Sequence, residues 1–363
     1  MGGWDVYCAI CGSTFDSRVS IDSDDETDAT YSGEVIGDSD LKWLERLCAL
    51  GINPNISGER KSFITSQGSY ADAGYIDVAQ GDDPNVPLDE RGNVSGLYAY
   101  HDFTQESLIV FPFHEVCYKE ILLRCFKNEK INADVLYALC EEMRQDRHNA
   151  LALDYGDPFP PYEQYWECNK GEEVLVTHPV DIPQLAVHLR VIPELLGEAE
   201  KEGTESRTES RTVQDRYDIF DKLPFELCQN IFNLLPIASI LAVKAASYSM
   251  HTCPYMSWKQ KLETDMPWLW EVHDIDPFKS QAMEAGLSKI FEEVEKKSRY
   301  NKEMVDYIPG LVNRRRIWTV CEDIRSLYHD KLAESQGHQL GSTANLAATR
   351  ALFAAFNEKS PRP

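Results

Sequence analysis

The sequence predicts an α+β N-terminal domain followed by an all-α region, and three observations carry that expectation. Over the first 200 residues, short apolar runs of strand length, Ser107–Phe111 and Val174–Val176, alternate with helical periodicity and Gly/Pro-rich segments. The stretch Thr204-Glu205-Ser206-Arg207-Thr208-Glu209-Ser210-Arg211-Thr212 is a polar repeat with no apolar member, which marks a linker. Beyond it, apolar residues recur at helical spacing over 224–235, 237–250, 257–265, 279–300, 311–333 and 343–357. The expected organisation is an acidic α+β domain at 1–200, a polar linker at 201–216, a three-helix unit at 217–265 and a helical region at 266–363.

Within the first domain, residues 16–40 read as a solvated acidic loop, because Asp and Glu recur there with Ser and Thr and only Arg18 opposes them. Leu41, Leu44, Leu47 and Cys48 follow the Asp38-Ser39-Asp40 cap cluster at helical spacing, so a short helix is expected at 40–50, stopped by Gly51 and Pro54. Residues 66–96, rich in Gly, Asp, Asn and Pro, read as a long loop. The strand at 107–111 is expected to stop at Pro112. From His114 the pattern turns helical through Val116, Ile121, Leu122, Cys125 and Phe126, and a second helix runs through Val135, Leu136, Leu139 and Met143.

Charge narrows the classes of partner. The chain of 363 residues has a net charge of −24, and the first 200 residues hold nearly all of the excess, with 37 Asp and Glu against 14 Lys and Arg. Nucleic-acid and acidic-membrane binding are disfavoured, since both need basic side chains to neutralise an anionic partner. The longest apolar stretch, Leu234 to Val243, falls far short of the roughly 20 residues that span a bilayer. The start, Met1-Gly2-Gly3-Trp4-Asp5-Val6, has no secretory pattern. An intracellular protein is expected, in cytoplasm or nucleus, with its cysteines reduced, metal-bound or packed as small apolar residues. Cys140, Cys168, Cys228, Cys253 and Cys321 belong to the last group.

Cys8-Ala9-Ile10-Cys11-Gly12 has the shape of a zinc knuckle, since a two-residue gap turns both thiolates toward one ion and Gly12 accepts the left-handed backbone of the turn. His114 and Cys117, three residues apart, would complete a tetrahedral set of three sulfurs and one imidazole nitrogen converging within about 4 Å, resembling a treble-clef finger. One structural zinc ion is the expected cofactor. The alternative is a pair of ordinary thiols at Cys8 and Cys11, with His114 as a capping residue. A redox use of the CxxC lacks its βαβ context. No G-x-S-x-G, Walker loop, G-x-G-x-x-G or deaminase H-x-E pattern is present, so a non-catalytic protein is expected. Arg314-Arg315-Arg316 could serve nuclear import or phosphate binding. At helical period it reads instead as a solvated face between Leu311 and the stripe Ile317, Cys321, Ile324 and Tyr328.

The stretch from Leu223 to Trp258 has its own logic. Pro224 suits a first helical position, and Glu226 favours the positive first turn. Leu227, Ile231, Leu234 and Leu235 then form an apolar stripe, and Pro236 closes the helix. A second helix runs through Ile240, Leu241 and Val243, and Trp258 with Leu262 supplies a third. Three such helices are marginal alone and could be an ordinary helical hairpin against a neighbour. With Leu223-Pro224, Glu226-Leu227, Ile231-Phe232, Leu235-Pro236 and the later Trp258 in place, this run resembles the F-box. Trp4 to Cys11, His114 to Cys117, Met266 to Glu271 and Asn313 to Trp318 are in addition similar to a group of fungal F-box proteins with an N-terminal CxxC segment.

The resemblance implies an F-box three-helix unit that binds a Skp-type adaptor through Leu223, Pro224, Glu226, Leu227, Ile231, Leu235, Pro236 and Leu241, and through it a cullin. The chain would then be the substrate-receptor subunit of an SCF-type cullin-RING ubiquitin ligase, holding a protein target through its N-terminal domain. The alternative is an F-box-containing scaffold with no ligase role.

Overall fold

A computed structural model describes residues 6–16, 20–21, 41–58, 60–72, 74–79, 81–94, 96–101, 108–145, 149–160, 167–168, 172–189, 218–235, 237–252, 258–272, 293–301 and 306–335. They fall into two units, one built from the segments up to Ile182 together with those from Tyr300 onward, and the other from Pro183–Arg299. The expected acidic loop at 16–40 and linker at 201–216 lie almost wholly outside the described residues, as do most of the helix expected at 279–300, of which 293–297 is described and helical, and all of the helix expected at 343–357.

The first unit is organised by a small five-stranded barrel. Its strands follow β1 (Ser20–Ile21) and are β2 (Leu47–Ile52), β4 (Gly68–Asp72), β5 (Tyr75–Val78), β6 (Leu97–Ala99) and β7 (Leu108–His114), with β3 (Ser62–Ile64) beside β2. Neighbours pair in the order β2-β4-β5-β6-β7, and β7 returns to β2 through five antiparallel pairs from Leu47↔His114 to Gly51↔Val110, which closes the ring. The pairing of β6 with β7 is parallel and the others are antiparallel. Separately, β1 forms a two-residue parallel pair with β8 (Glu167–Cys168).

A helix was expected at 40–50, and barrel closure explains why Leu47–Ile52 is a strand instead. Leu47, Cys48, Ala49 and Leu50 are all buried, because one side of the strand faces the barrel and the other is covered by helices. The period-two alternation that marks a half-exposed strand is therefore missing, and Leu41, Leu44 and Leu47 match helical spacing by coincidence. Gly51 is required here, since a Cβ at that position would lie 2.3 Å from the Phe63 ring and 2.8 Å from Val110.

The expected stop at Pro112 is also corrected: β7 runs on to His114. Pro112 faces Ala49, whose N–H and C=O both point the other way, to the Thr65 hydroxyl and the Thr65 N–H. It thus sits at a non-hydrogen-bonded pair, where a missing N–H costs nothing. The expected loop 66–96 instead contributes β4 and β5, which are antiparallel, with Gly74 at φ +87°, and an isolated bridge between Leu88 and Val94. The expected strand Val174–Val176 is a 3-10 turn, Glu173–Leu175.

Helices cover the barrel as their periodicity predicts. A π-helical stretch, Cys117–Leu122, runs into α1 (Leu123–Cys125), and α2 (Ala133–Met143) follows, capped by the Asn132 side chain accepting from Asp134 N at 3.0 Å. Val135, Leu136, Leu139 and Met143 are buried, and α2 lies against β2 and β3. The long helix Pro309–Ser335 packs on α2, on the π-helical stretch and on the Glu173 turn. Its stripe of Leu311, Ile317, Cys321, Ile324 and Tyr328 is buried. The C-terminal helix is therefore part of the first unit, whereas a separate helical region at 266–363 was expected.

The solvated-face reading of the arginine triplet is overturned with it. Arg314 is fully buried and donates to the carbonyls of Pro179 at 2.7 Å and Val180 at 3.0 Å; Arg316 is also buried, and only Arg315 is partly open. A guanidinium can enter a core when carbonyl oxygens receive its N–H groups.

In the second unit, Asp218 caps a 3-10 turn, Ile219–Lys222, and its other oxygen accepts from the Ser247 hydroxyl at 2.8 Å. Helices α3 (Phe225–Leu234), α4 (Ile237–Ala246), α5 (Tyr248–Thr252) and α6 (Trp258–Asp265) follow. Lys261 on α6 donates to the carbonyl of Asn233 at 3.2 Å and pairs with Asp265. A small core of Cys228, Phe232, Ile240, Met250, Leu262 and Leu269 holds them together.

Because helix 309–335 fills one side of the first unit's core, a chain ending at residue 300 should lose cooperative unfolding of that unit and be cut rapidly by dilute protease. A sharp thermal transition in that fragment, with the midpoint of the whole chain, would contradict the assignment.

Candidate functional site

Cys8, Cys11, His114 and Cys117 come together as a buried cluster whose ligand atoms all lie within 4.8 Å of one another. The sulfur-to-sulfur edge of an ideal zinc tetrahedron is about 3.8 Å, a separation within that range. The backbone sets this geometry. Tyr7 and Thr14 bridge across the knuckle, Gly12 N–H donates to Cys8 O at 2.8 Å, and Gly12 takes φ +73°. Cys8 and Cys11 are thereby turned to the same side. His114 is the last residue of β7, and Cys117 opens the π-helical stretch, so the second pair spans a strand-to-helix junction and not the first turn of one helix.

The knuckle docks on the edge of β7. Ala9 N–H donates to Pro112 O at 2.9 Å, and His114 N–H reaches Cys8 Sγ at 3.2 Å. The Ser13 N–H lies 3.4 Å from Cys11 Sγ. Such N–H groups favour thiolate over thiol. The imidazole is fixed at both ends: Nε2 stands 3.0 Å from the Thr14 carbonyl, which can only accept, so Nε2 carries the proton and Nδ1 is turned to the sulfurs, 3.2 Å from Cys11 Sγ. Phe15 and Trp43 pack on the ring at 4.5 and 4.7 Å, and Trp43 Nε1 donates to Val176 O.

The cluster's electrostatics suit a cation. Burial pushes the Cys11 thiol up, but hydrogen bonds with Cys117 and Cys8 and the charge of His114 outweigh it and hold Cys11 well below its ordinary value. Burial works to lower His114, yet the Cys11 and Cys8 sulfurs raise it to about 10. Burial, then the hydrogen bonds to Cys11 and Cys8, push Cys117 well above the usual thiol range. Three cysteine sulfurs and one imidazole nitrogen are together the donor set that a divalent ion such as zinc takes.

Three further residues hold the knuckle, none of which the sequence marks as part of it. The Tyr100 hydroxyl donates to Tyr7 O at 2.6 Å, the Tyr155 hydroxyl to Ala9 O at 3.2 Å, and Arg316 Nη1 to Cys11 O at 2.7 Å. Alternate carbonyls of the segment therefore each receive a buried side-chain donor. Of the three, only Arg316 left a trace in the sequence, as a charge inside an apolar helical period.

The residues expected to bind an adaptor lie on the second unit. Leu223, Ile231 and Leu235 are partly exposed, and Pro224, Glu226 and Leu227 are exposed, while α3 turns Cys228 and Phe232 inward. Leu227 is 49% and Leu234 85% exposed, and Phe225, Ile219 and Tyr248 are exposed as well. Pro236 and the side chain of Leu241 lie outside the described residues, as does that of Trp258. No disulfide forms among the described cysteine side chains, and Cys140, Cys228 and Cys321 are buried as expected. The side chains of Cys168 and Cys253 lie outside the described residues. Among the described residues no helix is long and apolar enough to cross a membrane.

Searched against protein-family models, curated proteins and solved structures, the chain matches none.

A Cβ on Gly12 would meet Pro160 Cγ at 2.8 Å and the Tyr155 ring at 3.0 Å, at a φ that disfavours any other residue. Gly12→Ala should therefore cost about 1–3 kcal/mol, read as a lower denaturant midpoint. An unchanged midpoint would show that the knuckle tolerates another backbone path.

Proposed function

We propose that the protein is a non-catalytic substrate-receptor subunit of a cullin-RING ubiquitin ligase, its first unit stapled by one structural zinc ion. The observation that carries the receptor reading is the outward apolar stripe of α3. Leu227 and Leu234 face solvent on the segment whose Leu223-Pro224 and Leu235-Pro236 pairs resemble the F-box. A small helical unit that leaves such side chains uncovered is suited to a partner that buries them. The proposed partner is the Skp-type adaptor, and through it a cullin, contacting Leu223, Pro224, Glu226, Leu227, Ile231, Leu235, Pro236 and Leu241. The first unit, which carries most of the negative charge, is the proposed seat of the target protein. The subunit's contribution would be proximity, raising the local concentration of a target lysine beside a charged ubiquitin-conjugating enzyme.

The metal reading rests on the donor set. Three sulfurs and one imidazole nitrogen are soft and borderline ligands, and four protein ligands leave no position for a substrate or water. Zinc held this way is structural. It would join the knuckle to the β7–helix junction across 102 intervening residues of chain, and its binding energy becomes folding energy.

Two experiments test the two halves. Leu223→Ala with Leu227→Ala should abolish co-purification of the adaptor, since hot-spot leucines are worth on the order of 2 kcal/mol each. Leu227 is half exposed, so the fold should survive, and unchanged adaptor recovery would refute the F-box reading. Elemental analysis of the purified full chain should give one zinc per molecule, and Cys11→Ser should release it and open the first unit to protease. The apparent worth of structural zinc, roughly 10–16 kcal/mol, exceeds or equals the roughly 5–15 kcal/mol that holds a whole domain together. A wild-type protein without metal would leave an ordinary thiol cluster.

A further inference from the structure

Arg316 stands out because a charged side chain 305 residues downstream reaches a metal-ligand residue through the core. Its Nη1 donates to Cys11 O at 2.7 Å and to Tyr155 O at 3.0 Å, while Nε and Nη2 both donate to Asn313 Oδ1. Asn313 is itself anchored, its Nδ2 donating to Thr177 O at 2.7 Å. The aliphatic stem has its own berth: Gly156 takes φ +72°, and a Cβ there would come within 3.2 Å of Arg316 Cγ. The residue is 6% exposed.

The contacted carbonyl belongs to the Cys11–Gly12 peptide, which is the turn of the knuckle. Fixing that peptide plane fixes the direction of the Cys11 Cα–Cβ bond, and so where its sulfur points. Charge matters as well, given the zinc reading proposed above, on which this step rests. Three thiolates and a divalent ion leave one negative charge in excess at a fully buried centre, and a desolvated guanidinium nearby offsets it.

We propose that Arg316 is a positioning residue of the metal centre, which orients Cys11 through its carbonyl and balances the centre's charge, so that metal retention depends on the docked C-terminal helix. Groups that hold metal ligands from behind alter metal affinity by about 10–100-fold when removed. Arg316→Met keeps the stem and deletes the fork and charge; Arg316→Lys keeps the charge alone; Arg315→Met, on the partly open side of the same helix, is the control.

The experiment uses the full-length chain, purified with zinc, and follows metal transfer to a chromogenic chelator below the unfolding temperature. Arg316→Met should release zinc about 10–100 times faster than wild type. Arg316→Lys should fall between them, and Arg315→Met should match wild type. Cobalt-substituted wild type and Arg316→Met should differ in the visible ligand-field bands, a change that loss of stability alone does not produce. Should Arg316→Met fail to fold, Arg316→Lys decides: faster release at an unchanged unfolding midpoint supports the proposal, and wild-type release with a wild-type cobalt spectrum overturns it. Zinc-loaded wild type with no difference in either Arg316 variant overturns this proposal alone, whereas a wild type that binds no metal overturns the zinc reading and this proposal together.

Discussion

The pairing of β2 with β7 does two things with the same five residue pairs. It closes the barrel, and by setting Leu47 opposite His114 it fixes where β7 ends and the next helix begins. Every ligand distance follows from that register. A slip of one residue would turn His114 to the other face of the strand and break the cluster, because side chains alternate with period two. The register is itself well specified. Gly51 must face Val110 and leave room for the Phe63 ring, and Pro112 must fall where no ladder hydrogen bond is needed.

The same register leaves an edge that has to be covered. The carbonyls of Pro112 and the N–H of His114 point away from β2, and the knuckle takes them through Ala9 N–H and Cys8 Sγ. The knuckle in turn has buried polar groups of its own, and their partners come from widely separated parts of the chain: Tyr100 on the barrel, Tyr155 beyond α2, and Arg316 on the long helix. Each buried carbonyl without a donor would cost about 1–3 kcal/mol, so these contacts are obligatory once the knuckle is inside. The Cys/His cluster, the barrel edge and helix 309–335 therefore form one interdependent unit.

How much of this could be read in the sequence depended on whether a residue's role was local. The CxxC with its glycine, the His114–Cys117 pair, the apolar periodicity of α2 and the apolar stripe of 311–333 all carry their signal within a few residues and are legible in the sequence. The barrel was not, because Leu47–Leu50 is buried throughout, β4 is short and polar, and the alternation of Ile76, Asp77 and Val78 in β5 spans too few residues to stand out from the turn-rich sequence around it. Pro112 reads as a breaker until its partner strand is known. The arginine triplet reads as surface because the acceptors of Arg314 and Arg316, at Pro179, Val180 and Cys11, are more than 130 residues away. Helical period likewise tells that 311–333 is a helix, not which core it enters.

In the second unit the same physics has a different consequence. Short helices and turns there enclose a small apolar core, and α3 commits one face, Cys228 and Phe232, to it. The other face keeps Leu227 and Leu234 in water. Covering a leucine is worth roughly 1.5–3 kcal/mol, but immobilising two molecules costs an estimated 4–15 kcal/mol, so those two leucines alone do not make a complex. Phe225, Ile219 and Tyr248 enlarge the apolar area available to a partner, and Leu223 with Ile231 adds more at the margin of the core. A partner at this surface would be selected by the shape of several short elements together, held by Asp218 bridging the 3-10 turn to the α4–α5 junction and by Lys261 tying α6 to the end of α3. Affinity would reside in the apolar side chains, and their arrangement in these buried or half-buried polar ties, so that disturbing Asp218 or Lys261 would weaken binding without removing a single contact atom.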